Sequence, residues 1–348
     1  MNGGPMSDPQ SPLPNPASPD REDIECRIGN HRFRIAPIGV ENKVEVLRLF
    51  ADVFGQTPND CWFDWKYQQG RGKAVGLWNE SGHLVAHYAG IPRTLVWLGK
   101  PVESVQIGDV MVAPQVRGLM TRKGPFFQVC TRFFDTWVGA EKGYRLAFGF
   151  PNQRAMTLGA VLNLYHNAGR IHQLRWPARS KRLAPWWRWS PVAENGARLT
   201  HHVADAWTAM ARESWDIVLG ARDLEYLRWR FLDRPDRQYR LFRLSRWPMG
   251  DSTVVVMRFS DGGAELLDVI GSRKTFRAAI QAAIAEATRA GAAELTAWAS
   301  PTAAALLGGE AQVVDSGASL AVARASVLSA DEVATAKWWW MGGDTDFL

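Results

Sequence analysis

Cysteine is scarce. There are three in 348 residues, Cys26, Cys61 and Cys130, an odd number with no C-x-x-C spacing. A disulfide framework and a cysteine zinc site are therefore unsupported, and a reducing, cytoplasmic setting is expected. His83, His87 and His166 fall in separate segments without the spacing that puts two ligands on one helix face, so no metal is expected. No apolar run reaches the roughly 18 residues that suggest a membrane span. The opening MNGGPMSDPQSPLPNPASPD has neither the basic nor the apolar region of a secretory signal. Its Pro, Ser, Asn and Asp offer nothing to bury against the entropy of ordering, so residues 1–22 read as a disordered tail. An excess of one charge is also missing. Lys and Arg number 41 against 35 Asp and Glu, a balance of +6 that selects no partner by itself. No nucleic-acid partner is expected.

What is present is an ordinary globular composition, 46% hydrophobic and 22% charged, with an unusual 17 Trp. The length suits two domains, each with its own core. From Cys26 the run CRIGNHRFRIAPI predicts an edge strand, and NKVEVLRLFADVFG a helix with Val44, Leu47, Phe50 and Phe54 inward. CWFDWKYQQG predicts a short aromatic helix. GKAVGLWN, HLVAHYAGIPRTLVWLG and VESVQIGDVMVAP read as successive antiparallel strands separated by turn residues. A loop, QVRGLMTRKG, then leads into PFFQVCTRFFDTWVG, where Phe126, Val129, Phe133, Phe134 and Val138 repeat at helical period and Pro125 sits in the first turn. YRLAFGF, PNQRAMTLGAVLNL and YHNAGRIHQLRW predict strand, helix and strand. The following stretch, rich in Pro, Arg and Trp and without period, reads as a linker over 176–198.

The chain echoes itself across that linker. Phe63-Asp64-Trp65-Lys66-Tyr67 returns as Leu227-Arg228-Trp229-Arg230-Phe231, and Gly108-Asp109-Val110-Met111-Val112 as Leu267-Asp268-Val269-Ile270-Gly271, in the same order and each ahead of a helix. Internal duplication is the expectation. The second copy has no counterpart of the loop after Val112; Gly271-Ser272-Arg273-Lys274-Thr275 carries two cations and one glycine.

A strand that ends in a basic, Gly-containing loop and opens a helix aims several backbone N–H groups and the positive helix end at one point, which suits an anion such as a pyrophosphate. Residues 110–125 fit that description, but contain neither G-x-x-x-x-G-K-[ST] nor G-x-G-x-x-G. The Q-x-x-G at Gln115–Gly118, the amphipathic helix after it and Phe148-Gly149-Phe150-Pro151-Asn152 on the next strand resemble the acyl-CoA site of the GNAT acetyltransferase superfamily. The W-[KR]-[YF] pattern and the closing Trp340-Met341-Gly342-Gly343-Asp344 resemble its bacterial members with two tandem domains. Met120 stands where the superfamily has a small residue, and Gly124 is the alternative occupant of that place.

The resemblance implies an α+β fold of two GNAT-like domains, each a mixed, mostly antiparallel sheet flanked by helices. An acyl-CoA-binding domain would span 23–175 and a degenerate one 199–348. It implies direct transfer of an acyl group, acetyl in the first instance, from acyl-CoA to the primary amine of a small molecule or cell-envelope precursor. The alternatives are Fem-like aminoacyl transfer or a non-catalytic binding module. Met111 and Val112 would meet the thioester, while Gln115, Val116, Arg117, Gly118, Leu119, Met120, Lys123 and Gly124 would hold the pyrophosphate and Asn152 the pantetheine. Asp109, or Glu103, would take the amine proton, and Tyr165 would protonate the leaving thiolate. The second domain would shape the acceptor pocket through Tyr226, Trp229 and Arg230.

Overall fold

The computed structural model describes residues 23–69, 71–118, 124–179, 183–192, 197–248 and 250–345. The proposed tail at 1–22, and Leu119, Met120 and Lys123 of the loop, lie outside the described residues.

The first half runs β1 (Ile24–Ile28), β2 (His31–Pro37), α1 (Lys43–Phe54), α2 (Asp60–Phe63) continued as a π-helical turn at Asp64–Gln69, β3 (Lys73–Asn79), β4 (Leu84–Trp97), β5 (Lys100–Val112), α3 (Pro125–Trp137), β6 (Leu146–Gly149), α4 (Gln153–Val161) and β7 (Tyr165–Pro177). The single edge strand expected near Cys26 is instead a hairpin, because Gly29 adopts φ +63 and reverses the chain. Helix α1 turns a slightly different face inward: Val46, Leu47 and Leu49 are buried, whereas Val44 is 77% exposed. Helix α3 behaves as its period predicts, burying Val129, Cys130, Phe133, Phe134 and Trp137 against β3 and β4.

After β7 come β8 (Trp187–Pro191), α5 (Ala197–Glu213), β9 (Ile217–Gly220) and α6 (Leu224–Leu227), which continues as a π-helical turn at Arg228–Leu232. Then follow β10 (Arg240–Arg246), β11 (Ser252–Ser260), β12 (Gly263–Gly271), α7 (Phe276–Arg289), β13 (Glu294–Ala299), α8 (Pro301–Leu307), β14 (Gln312–Ala323), α9 (Ala330–Thr335) and β15 (Lys337–Trp339). The stretch read as a linker thus contains β8, which pairs with β10 and ends the sheet.

Among the described residues all fifteen strands belong to one sheet, whose main path is β1-β2-β3-β4-β5-β6-β14-β7-β13-β12-β11-β10-β8. The architecture is α+β, mixed and mostly antiparallel, with helices on its faces. A short helix, a π turn, three antiparallel strands, a helix, a parallel strand, a second helix and a final strand occur twice in the same order. The final strands are exchanged. Strand β14 lies beside β6, and β7 lies beside β13, so each half of the chain completes the other's sheet. The boundary expected after residue 175 falls inside β7, two residues short of its end. The π turns meet face to face. Trp65 and Trp229 stack with centroids 5.0 Å apart. Trp65 Nε1 donates to the Trp229 carbonyl at 2.7 Å and Trp229 Nε1 to that of Trp65 at 3.2 Å, a reciprocal contact between the two echoed sequences.

Candidate active site

The parallel pairing of β5 with β6 stops at Ile107–Gly149. Beyond it β5 continues through Gly108–Val112 without β6, and the chain after Gly149 turns into α4, so the strands part around a cavity of about 770 Å³. Pockets for small molecules commonly fall in this size range. Small residues make the room: Ala147, Gly149, Ala155, Ala318, Ala321 and Ala323 line it. Aromatic side chains, among them Phe50, Phe54, Trp62, Phe126, Phe150 and Trp298, give it an apolar wall.

The polar part of the first-half wall is built around Asp109. Tyr88 of β4 faces both Asp109 and Val110 of β5, since Ala89 pairs with Gly108 and His87 with Met111; this bulge takes Asp109 to φ +48. Such a conformation is uncommon for a residue other than Gly, although Asp tolerates it better than most, and three neighbours hold it. Lys66 Nζ donates to Asp109 Oδ1 at 2.7 Å, Tyr67 OH donates to Oδ2 at 2.6 Å, and His87 Nδ1 lies 2.7 Å from the Asp109 carbonyl. The Lys66 side chain is only 2% exposed and that of Asp109 8%, which makes this a buried ion pair on the wall of a cavity. Burial pushes the His87 imidazole below its usual pKa, and its Nε2 has no protein hydrogen-bond partner.

Tyr165, at the start of β7, also lines the cavity. Its hydroxyl shares a 2.9 Å hydrogen bond with that of Tyr88 and lies 4.0 Å from Cys130 Sγ. Burial raises the Tyr165 phenol well above its ordinary range, so the group keeps its proton. Gly159 makes room for the ring: a Cβ there would collide with the Tyr165 ring.

Residues 34–158 match the acetyltransferase (GNAT) domain family. This segment is a GNAT domain. Among solved structures the chain is similar to a conserved protein of unknown function and probable N-acyltransferase from Enterococcus faecalis, at 14% identity over 83% of this chain and 72% of that one, with TM-score 0.63. It is similar also to a GCN5-related N-acetyltransferase from Kribbella flavida, at 18% identity over 84% and 71% with TM-score 0.57. A third likeness is to Saccharomyces cerevisiae N-myristoyltransferase with bound myristoyl-CoA, at 14% identity over 90% and 83% with TM-score 0.52. No curated protein matches the chain. The GNAT domain thus spans the parting of β5 and β6, and the N-acyltransferase type and α+β class follow from it.

The expected site residues scatter. Asp109, Tyr165 and Asn152 line the cavity; Asn152 also caps α4, its Oδ1 accepting from Ala155 N at 2.9 Å. Met111 is fully buried in the strand, and Val112 directs its carbonyl to Arg117 Nε, 2.8 Å away. Gln115, Arg117 and Gly118 are exposed and Val116 half-buried beyond the end of β5, none of them on the cavity wall. Gly124 caps α3 with extended φ −76, so no left-handed conformation requires glycine there. Glu103 stands opposite Thr94, six residues before Asp109, away from the cavity; burial raises its carboxyl pKa while Arg71 opposes that shift. Among the described residues no three His, Cys, Asp or Glu gather as a metal-binding group, and no helix is long and apolar enough to cross a membrane.

Two outcomes were not expected. Tyr226, Trp229 and Arg230 do not reach the cavity: Trp229 is stacked on Trp65, Tyr226 OH donates to the Gly343 carbonyl at 2.8 Å, and Arg230 donates to the carbonyls of Gly343 and Thr345. The second half reaches the cavity instead through Arg234, Asp236 and Arg237, just past the aromatic turn, and through Trp298 and Ser316–Ala318. Lys66 and Tyr67 were visible only as members of a repeat, and the signal that could have singled them out is a Lys within an otherwise aromatic, buried run.

The second copy of the site is filled. Strands β12 and β13 pair only at Ala264–Leu295 and Glu265–Thr296 before separating. The C-terminal segment enters there: Met341 bridges to Ala299, and Ser300 N donates to the Trp340 carbonyl at 2.9 Å. Asp268, the echo of Asp109, is fully buried and accepts from Arg222 Nε at 3.0 Å, while Arg222 Nη2 donates to Asp344 at 2.5 Å.

Proposed function

We propose that the chain transfers an acyl group, acetyl in the first instance, from acyl-CoA to the primary amine of a small molecule, using one site per chain in the cavity between β5 and β6. The observation that carries this reading is the parting of the strands at Ile107–Gly149. It leaves backbone of Gly108–Val112 without a β6 partner beside an apolar cavity, and such backbone can hydrogen-bond a pantetheine amide. Acyl-CoA supplies the activated thioester, and the chain supplies the surroundings. Arg117, exposed and donating to the Val112 carbonyl at its own strand end, is offered to the pyrophosphate. Asp109 takes the proton lost by the attacking amine, directly or through a water, while Lys66 and Tyr67 hold its carboxylate in place. Tyr165 gives its proton to the departing thiolate. The amine nitrogen gains the C–N bond as the C–S bond breaks, so no protein nucleophile is required.

The test is calorimetric titration of acetyl-CoA into the wild-type protein and Arg117→Ala. Binding at one site, weakened about tenfold or more in the variant by loss of a charge-assisted hydrogen bond, is the expected result. No binding to the wild type would overturn the reading, and unchanged affinity in the variant would remove Arg117 from it.

A further inference from the structure

Of the four Trp in the stretch 176–198, the fold uses three. Trp176 is buried and donates to the Gly308 carbonyl at 3.0 Å, Trp187 packs against the core of the second half, and Trp189 stacks on Phe242 with centroids 4.9 Å apart and donates to Glu286 at 3.1 Å. Trp186 is left 50% exposed. Trp247, whose N–H donates to the Trp186 carbonyl at 2.8 Å, is 62% exposed, and Trp215, just after α5, is 61% exposed. Of the 17 Trp in the chain these three alone are exposed.

The sheet brings them to one end. Strand β8 begins at Trp187, opposite Arg246; Ser245 of β10 pairs with Ser252 at the start of β11, and Thr253 pairs with Gly271 at the end of β12. Next to Gly271, Ser272 Oγ and the Arg273 N–H each donate at 2.8 Å to Glu213, two residues before Trp215. Three strand spacings, about 15 Å, separate β8 from β12 along this rim. The rim is also basic. Arg188, Arg212, Arg246 and Lys274 are exposed on it. Of its acidic groups, Glu213 is engaged by Ser272 and Arg273, Asp216 accepts from Lys337 at 2.8 Å with Arg273 3.8 Å away, and Asp251 is exposed.

An exposed indole gains by entering a layer that is polar outside and apolar within, and Lys and Arg beside it are drawn to anionic headgroups. A nucleic-acid strand would instead ask for a groove in which rings meet successive bases, whereas these rings come from three separate segments at the strand ends. We propose that this rim docks the protein on an anionic lipid surface, with Trp186, Trp215 and Trp247 entering the headgroup region and the four cations facing the lipid phosphates. None of these residues lines the cavity, so docking and acyl transfer stand or fall separately.

The experiment sediments the full-length protein with phosphatidylcholine vesicles and with vesicles containing about one third phosphatidylglycerol. Binding to the anionic vesicles should be about tenfold or more stronger and should weaken as salt is raised. Trp186→Ala combined with Trp247→Ala should lower that binding about tenfold or more, and Arg188→Gln combined with Arg246→Gln should erase the preference for anionic lipid, with the melting temperature unchanged because all four side chains are exposed. Absence of binding to either vesicle, or binding that neither pair of changes reduces, would overturn the proposal. So would tighter binding of a single-stranded oligonucleotide that both pairs abolish, which would make the rim a nucleic-acid surface, or self-association of the wild type that the Trp pair abolishes, which would make it a contact between copies of the chain.

Discussion

Asp109 shows how much a single residue asks of its neighbours. It holds a left-handed backbone in a bulge and a carboxylate in a poorly hydrated wall, and Lys66, Tyr67 and His87 answer each demand with a hydrogen bond. Breaking a buried pair from one side strands a charge, which costs about 3 to 5 kcal/mol, whereas removing both partners costs much less. Lys66→Met and Asp109→Asn should each lower the unfolding free energy, and the double variant should be clearly more stable than the sum of the singles predicts; additive losses in urea unfolding would contradict a coupled pair. Activity separates the roles, because Asp109→Asn should lower kcat by about 10²-fold or more with acyl-CoA affinity retained. His87 adds a pH signature. Its folded pKa lies below the unfolded one, so the unfolded chain binds more protons between the two values. Stability should therefore fall as pH drops below about 6.5, and His87→Gln should remove that part of the loss.

At the scale of elements, the periodic segments were legible and the exchanged ones were not. The α3 stripe, the three antiparallel strands before it and the short aromatic helix all stand where their patterns put them, while the π turn that continues the helix had no trace in the sequence. Strand β8 was hidden because its alternation, Trp187-Arg188-Trp189-Ser190, spans only four residues at the sheet edge and is set among Pro, Arg and Trp that read as loop. The loop after Val112 carries the Q-x-x-G signal, and its described residues lie beyond the end of β5, outside the cavity wall. The charged wall of Arg234, Asp236 and Arg237 could not be found from spacing, because more than a hundred residues separate it from Asp109 and it is the shared sheet and the stacked π turns that bring the halves together. The C-terminal plug follows the same logic. A Cβ on Gly343 would lie 2.8 Å from the Phe231 ring and 2.9 Å from the Leu267 carbonyl, so Gly343→Val should destabilise the protein by about 1 to 3 kcal/mol or more through overpacking. Among the described residues nothing lies within 4 Å of the Gly118 Cβ position, so Gly118→Val should melt like the wild type, and any defect should appear only in acyl-CoA titration. A thermal scan of both variants decides whether the two glycines serve packing and ligand approach, respectively.

For the whole molecule the consequence is that neither half is a separable part. Strand β6 reaches the middle of the sheet only because β14 arrives from the far end of the chain, and the second half's β13 depends in the same way on β7. The cavity inherits this arrangement, since Ala318, Ala321 and Ala323 of β14 line it together with residues of β5 and β6. A fragment ending at residue 178 should therefore expose the edge of β6, lose the floor of the cavity and fail to bind acyl-CoA, and adding residues 179–348 as a second chain should restore binding. Two copies of one architecture would offer two sites, but Met341–Asp344 occupies the second parting of strands, and Arg273, the first cation of the second copy's loop, faces Asp216 at 3.8 Å. Titration should accordingly show one acyl-CoA per chain, and replacing Arg273 and Lys274 together by Ala should leave that affinity within a few tenths of a kcal/mol, as surface changes remote from a site usually do. Two molecules bound per chain, or affinity lost in the double variant, would mean that the C-terminal segment withdraws to open a second working cleft.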